Sequence, residues 1–341
     1  MHDSDVLING AGPAGCAAAI FCAQKKLSVT LIDSEKEFSQ KPGESLHPGI
    51  LSLFKELGIE KDFLSAGFLK HNGNWIKWDN SIKRFEKFGN NDSEMWKGFQ
   101  AWRPLFDEIL LKRCQNLGIN IIRGCKSLKP IISNKQITGL FTTEGIFKSS
   151  FLIDATGNTN WLARKLNLKI QRFSPVLVAY YGYVKGECLT RDKEPLILAD
   201  KEGWIWTAKI KPQVYQWVRL FFRNIQSKKK VLKPKEFQDL TTLTSRGSDV
   251  TWRIVSNPAN NGYFIVGDAA FVLDPISSHG IIKAIMSGMM SGYLISQINN
   301  NNITKDNAIS YYNNWIFKWF NGDMQNIKKL YSKHPFPPSW I

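Results

Sequence analysis

Apolar and polar positions along this chain follow two periods, and the points where the period changes predict its elements. Asp5 to Asn9 (DVLIN) is a short apolar run that stops at Gly10-Ala-Gly12-Pro-Ala-Gly15, after which CAAAIFCAQ continues as a small-residue helix. SVTLID predicts a second strand ending at Asp33, FKSSFLIDATG a third ending at Asp154, and GYFIVGDAA a fourth ending at Asp268. A long glycine-punctuated helix follows, with Ile281, Ile282, Ile285, Met286, Met289 and Met290 on one apolar face. VLVAYYGYVKG, GWIWTAKI and VYQWVRLFFRN instead alternate with period two and are rich in β-branched and aromatic residues, which predicts antiparallel strands. From Asn307 the chain predicts an aromatic, basic helix followed by a proline-rich end.

Length and composition narrow the class. A chain of 341 residues can bury a sizeable core and fits two intimately joined domains. No uninterrupted apolar stretch reaches the ~18–20 residues of a membrane span, so a soluble protein is expected. The start, MHDSDVLINGAG, has no basic segment or cleavage site of a signal peptide, and a cytoplasmic enzyme is expected. Five cysteines (Cys16, Cys22, Cys114, Cys125, Cys188) without CxxC spacing predict neither a disulfide framework nor a metal site. The formal net charge of +16 favours anionic cofactors or acidic partners. Lys228, Lys229, Lys230, Lys233 and Lys235 read as a solvated loop, and no motif points to nucleic acid.

The first strand, turn and helix carry specific chemistry. Gly10 permits the tight turn, Gly12 lets backbone approach a pyrophosphate, and Gly15 lets the helix pack close to the strand. The helix opening at Ala14 then presents its positive dipole end to phosphate. Asp33, eighteen positions after Gly15, can accept hydrogen bonds from ribose hydroxyls. These features predict a dinucleotide without choosing FAD or NAD. No second GxGxxG follows a strand, so no separate nicotinamide domain is expected.

The segment GYFIVGDAAFVLDPISSHGIIKAIMSG resembles the second flavin fingerprint of the hydroxybenzoate hydroxylase superfamily, which includes aromatic hydroxylases, flavin halogenases and geranylgeranyl reductases. The resemblance implies FAD, with Gly267 and Asp268 at the ribityl chain. It places Pro275, Ser278, Gly280 and Ile281 where a helix opening points at the isoalloxazine. The Asp154-Ala-Thr-Gly157 turn and the helix opening at Arg103 resemble two further cofactor contacts of that family. An α/β fold is implied: a discontinuous Rossmann-like FAD-binding domain (1–71, 101–167, 255–300), an antiparallel-sheet substrate domain (72–100, 168–254) and a helical C-terminal tail (301–341).

Lys41-Pro-Gly-Glu44-Ser45-Leu-His47-Pro-Gly49 resembles the GESL-type loop shared by flavin halogenases and by flavoprotein maturases of LodB and GoxB type, which hydroxylate a protein tryptophan. It implies Glu44 and Ser45 at the cofactor. GNWIKW, WLARKL and DPISSHGIIKAIMSG favour the maturase-like branch, and hence an FAD-dependent monooxygenase acting through a flavin C4a-hydroperoxide on an aromatic ring, with tryptophan in a peptide or protein the favoured substrate. Oxygen is then the co-substrate, and electrons come from NAD(P)H or a partner flavin reductase. The alternatives are a flavin-dependent halogenase, a geranylgeranyl-reductase-like enzyme and a noncatalytic flavoprotein. Halogenase chemistry needs a lysine between the flavin and substrate sites, for which Lys70 is the candidate, at an offset position. Trp204-Ile-Trp206 has the tryptophan pair of the halogenase WxWxIP motif without its proline. His47 and His279 are the candidate acid–base residues, because imidazole titrates near neutrality. Trp75, Trp78, Trp204 and Trp206 are candidate stacking partners for an aromatic substrate. The tail is expected to cap the two domains, with docking of a protein substrate or contact with a membrane surface as its other readings.

Overall fold

A computed structural model describes residues 2–37, 41–79, 82–90, 96–191, 193–222 and 233–341; Lys228, Lys229 and Lys230 lie outside them. The chain opens with β1 His2–Asn9, α1 Pro13–Gln24, β2 Val29–Asp33, β3 Ser45–Leu46, α2 Ile50–Leu57, α3 Glu60–Ser65, β4 Leu69–His71, β5 Gly73–Lys77, β6 Arg84–Lys87 and β7 Gly98–Gln100. Then come α4 Arg103–Asn116, β8 Asn120–Arg123, β9 Ser127–Ser133, β10 Gln136–Thr142, β11 Gly145–Asp154, α5 Trp161–Lys165, β12 Ile170–Arg172, β13 Val178–Lys185, β14 Leu196–Asp200, β15 Gly203–Lys211 and β16 Val214–Phe221. It closes with β17 Thr241–Asp249, β18 Arg253–Val255, β19 Ala259–Asn260, β20 Tyr263–Ile265, β21 Phe271–Val272, α6 Gly280–Asn299 and α7 Lys305–Ser332.

The apolar runs ending at Asn9, Asp33, Asp154 and Ile265 meet as parallel neighbours in the order β20-β11-β1-β2-β8. Val6, Leu7 and Ile8 have no exposed surface, as expected for a parallel strand covered on both faces. α1 and α6 lie side by side, and a Cβ on Gly288 would stand 2.3 Å from the Ala14 carbonyl oxygen, so only glycine permits that approach. α6 is the one helix among the described residues long and apolar enough to cross a membrane, yet most of it is buried inside the protein.

The alternating segments form a second sheet, β17-β13-β16-β15-β14-β5-β6. Register aligns Ile76, Ile197, Trp206, Val218, Tyr181 and Arg246 across six of its strands, so these side chains share one face. Ala208, Gln216 and Tyr183 form the next row on that face, and Trp204, Leu220 and Ala179 the row before it. Segments 170–172 and 253–255 leave this sheet and join β21 in a small three-stranded one. A second small sheet, β3-β7-β4, holds the PGESLHP segment.

α7 and the residues after it bind both large sheets. The Tyr312 hydroxyl donates to the Ile265 carbonyl (2.9 Å), and Asn313 pairs with the backbone of Ala259. The Tyr331 hydroxyl donates to Asp274 Oδ2 and accepts from Trp204 Nε1, each at 2.8 Å, while Trp252 Nε1 donates to the same carboxylate oxygen. Trp78 Nε1 donates to the Leu330 carbonyl (2.9 Å), its ring stacked on Tyr331. Tyr331→Phe leaves the buried Trp204 N–H without its partner and removes one donor from Asp274. The expected cost is about 1–3 kcal/mol in urea denaturation; unchanged stability would show that the hydroxyl is not what joins tail to sheet.

Candidate cofactor and active site

The glycine turn has the division of labour its spacing predicts. A Cβ on Gly10, whose φ is +114°, would lie 2.5 Å from the Ala155 carbonyl oxygen, and one on Gly15 would lie 1.8 Å from that of Gly10. A Cβ on Gly12 meets nothing within 4 Å. Gly10 and Gly15 therefore hold the turn together, and Gly12 borders open space that a diphosphate can enter, so these residues fit a dinucleotide. Ala14 is buried in the first turn of α1, against Gly267. Asp33 accepts from the Ala11 N–H (2.6 Å) and the Glu35 N–H (2.7 Å), tying the turn to β2; each oxygen keeps a lone pair for a ribose hydroxyl.

At the ends of β11 and β20 the structure separates two aspartates that the sequence treats alike. Asp154 is fully buried and accepts from the Thr156 and Leu162 N–H groups (3.1 and 2.9 Å). It holds its turn and does not face a ligand, which corrects its assignment as a cofactor contact. Gly157, three residues on, has open space where a Cβ would be. Asp268 is half exposed and accepts from Lys283 Nζ at 2.5 Å. Lys283 is buried, also donates to the Phe271 carbonyl (2.9 Å), and went unnoticed in the sequence. Its signal was available, since it is the single charged residue in the twenty of α6.

Pro275 opens the short turn before α6, and Ser278 leaves it in the left-handed region at φ +54°; Gly280 borders open space and Ile281 is buried. A Cβ on Gly43 would meet the Ile281 side chain at 3.3 Å, so the PGESLHP loop rests on the opening turn of α6.

That loop is held by buried polar groups. Arg103 makes a two-pronged contact with Asp107 (3.2 and 3.0 Å) and donates to the Pro42 carbonyl (2.6 Å), so its guanidinium secures the loop where a cofactor contact was expected. Glu44 is buried and bonded to the Tyr183 hydroxyl, which accepts from Gln216 Nε2 (3.1 Å); its second oxygen has no hydrogen-bond partner. Burial lifts the Glu44 carboxyl to about 7, against the opposing pull of Tyr183 and Arg103. Ser45 donates to Gln100 (2.9 Å), whose amide meets His71 Nε2 (3.2 Å), and His71 Nδ1 meets the Gly73 carbonyl (3.0 Å).

Burial, then the neighbouring His279, pushes the His47 imidazole below its ordinary value. Lys70 is directly opposite Phe99 in β7, as Leu46 is, and its ammonium stands 6.0 Å from the Phe99 ring. The alternation of the strand puts Lys70 on the face opposite His71, and His71 and His47 share a neighbour in Phe88. Lys70 thus lies on the face of its strand opposite His71.

The four tryptophans divide. Trp204 and Trp78 are buried with their indole N–H groups committed to the tail, which corrects their assignment to the substrate. Trp75 pairs with Leu196 and packs on Phe85 and Lys83, on the other face of the sheet from Trp206. Trp206 alone, half-buried, lies in the row with Val218 and Tyr181.

A family model described as tryptophan halogenase matches residues 5–104 and 89–332. The chain is 24% identical over 345 residues to a tryptophan 2-halogenase of Chondromyces crocatus, covering 90% of this chain and 64% of that one. It is 26% identical over 352 residues to a 1H-pyrrole-2-carbonyl-(peptidyl-carrier protein) brominase of Pseudoalteromonas luteoviolacea, covering 94% and 83%. In three dimensions it is similar to the myxobacterial chondrochloren halogenase CndH, a variant of FAD-dependent halogenases, with a TM-score of 0.88 at 20% identity over 98% of this chain and 84% of that one. The flavin-dependent brominase Bmp2 gives 0.81 at 23%, over 95% and 85%.

Two outcomes follow from the geometry. Gly12→Val should fold, with a circular-dichroism melt close to the parent, and purify without flavin absorbance, whereas Gly15→Val should not fold; flavin retained by Gly12→Val would remove the diphosphate from that turn. For Glu44, the folded chain holds a proton between pH 4.5 and about 7 that the unfolded chain releases, so its contribution to stability is full below that window and falls as pH rises through it. Glu44→Gln keeps a neutral hydrogen-bonding group, and in urea denaturation the parent should lose about 2–3 kcal/mol more than the variant between about pH 5 and about pH 8. Parallel curves would mean that Glu44 is charged in the folded state.

Proposed function

Because the chain belongs to the tryptophan halogenase family, we propose that it is an FAD-dependent oxidoreductase that halogenates an aromatic ring, using O2 and reduced flavin supplied by a reductase. Support comes from the family match, which runs through the glycine turn, the PGESLHP loop and both later fingerprints. The chain covers 64% of the tryptophan 2-halogenase, so the ring it takes is argued from its own residues. Gly12 and Asp33 would hold the adenosine diphosphate half of FAD, and Asp268, braced by Lys283, the ribityl chain. The amides at Gly280 and Ile281 open α6 and favour negative charge on the reduced ring. Bound FAD supplies the activation of oxygen. The protein supplies a wall for an aromatic ring in the row of Trp206, Val218 and Tyr181, and excludes water by packing the loop on α6.

A second reading is hydroxylation of a tryptophan in a peptide or protein. It is favoured by the offset of Lys70 from the lysine position of the halogenases, and by the PGESLHP loop, which resembles that of the maturases. One experiment separates the two. Free tryptophan, a tryptophan peptide and a carrier-bound pyrrole are offered with reduced FAD, O2 and bromide, and product mass is recorded. Halogenation predicts a bromine gained by at least one of them and lost in Lys70→Ala. Addition of a single oxygen, indifferent to bromide and to Lys70→Ala, would establish the second reading. Oxygen consumption that no substrate stimulates would overturn both.

A further inference from the structure

The histidines beside the α6 opening differ in what holds their rings. His279 Nδ1 lies 3.0 Å from Asp323 Oδ2, on α7, and the same oxygen accepts from Trp319 Nε1 at 3.1 Å. Indole nitrogen can only donate, so this oxygen is already an acceptor, and the histidine nitrogen beside it acts as the donor: the proton of the neutral ring resides on His279 Nδ1. The Asp323 side chain is 11% exposed and that of His279 41%, so the carboxylate is inside and the ring reaches the opening. The neutral ring therefore presents a lone pair at Nε2.

His47 has the opposite polarity. Its Nδ1 accepts from the Gly49 N–H at 3.1 Å, which leaves the proton of the neutral ring on Nε2. His71, the third histidine of the region, has both nitrogens paired within the protein and is left with neither role.

We propose that His279, oriented by Asp323 and Trp319 of α7, accepts the ring proton released during aromatic substitution. The inference rests on the ring-substitution reading above and assigns a task to the C-terminal helix. The atoms balance as follows. The aromatic carbon attacks the halogen of hypohalous acid, the product of halide, O2 and two-electron-reduced flavin. The halogen–oxygen bond breaks and hydroxide departs. The ring C–H bond then breaks, its electron pair returning to the ring, and the proton passes to His279 Nε2. From there it neutralises the hydroxide as water. Asp323 and Trp319 from α7 hold His279 from inside the protein, and the charge of His47 from the loop acts on it at a distance.

Asp323→Leu tests the orientation, because it removes the acceptor that holds the proton on Nδ1 and leaves the ring free to take either tautomer. Nitrogen-15 NMR of the imidazoles, with and without FAD, should place the neutral proton on Nδ1 of His279 and on Nε2 of His47, and should show the Nδ1 preference of His279 lost in Asp323→Leu. Turnover is measured with bromide, reduced FAD, O2 and whichever of the three substrates above the parent brominates, deuterated on its ring. His279→Gln and Asp323→Leu should keep bound FAD, His279→Gln should also keep the parental melting temperature and lose about 100-fold or more in product formation, and both should show a primary deuterium isotope effect absent from the parent. Asp323→Glu should restore most of the rate. A parental proton on Nε2 of His279, or parental rates without an isotope effect in His279→Gln, would overturn the proposal. Absence of product from the parent would instead count against the proposed function, while the NMR assignment still decides the polarity of the pair.

Discussion

The closeness of α1 and α6 is the constraint on which the rest of the site depends. Gly288 lies so near the Ala14 carbonyl that no side chain fits between them, and Gly267 lies against Ala14 itself. α1 opens at the glycine turn and α6 opens at Gly280, so the same contact fixes the separation of two helix N-termini. The PGESLHP loop takes its position from α6 through Gly43 and Ile281, and Arg103 anchors that loop in turn. A change in the helix crossing would therefore move the turn, the loop and His279 together.

Two buried acids tie this assembly to the second sheet. Glu44 reaches Tyr183 from the loop, and Asp274, lifted by burial to about 6, is reached by Tyr331 and Trp252. Both carboxyls sit where separate elements meet, and the hydrogen bonds they accept come from neutral donors. A buried polar contact of this kind contributes modestly to net stability, but leaving it unmade is costly. The penalty for misplacing either element is what makes the arrangement specific.

Much of the nucleotide-binding half was legible in the sequence, because its signals are local. GxGxxG followed by a helix, an apolar strand ending in Asp33, and a glycine-rich helix after Asp274-Pro275 each state a backbone geometry that neighbouring residues impose. Asp154, Arg103, Trp78 and Trp204 misled for the opposite reason. What each side chain touches is set by residues far away in the chain, such as Leu330 and Tyr331 for the tryptophans, and no local pattern carries that information. The pairing of His279 with Asp323, 44 positions apart, was hidden in the same way. Lys283 was legible but overlooked, since a lone charge in an apolar helix asks for a partner.

The attachment of α7 has a consequence for how the protein comes into being. β1 pairs with β11, β11 with β20, and Tyr331 with Asp274 and Trp204, so elements from the beginning, middle and end of the sequence are needed at once. During synthesis the glycine turn emerges early and soon has β2 on one side, but it lacks β11 on the other until residue 154 has been made, and the buried Asp274 lacks its tyrosine until residue 331 has. Contacts this distant in sequence are slow to form, and the apolar strands wait for them unpaired. A nascent chain therefore exposes apolar surface until α6 and α7 have been made, and only then does the nucleotide turn have all the neighbours that fix it.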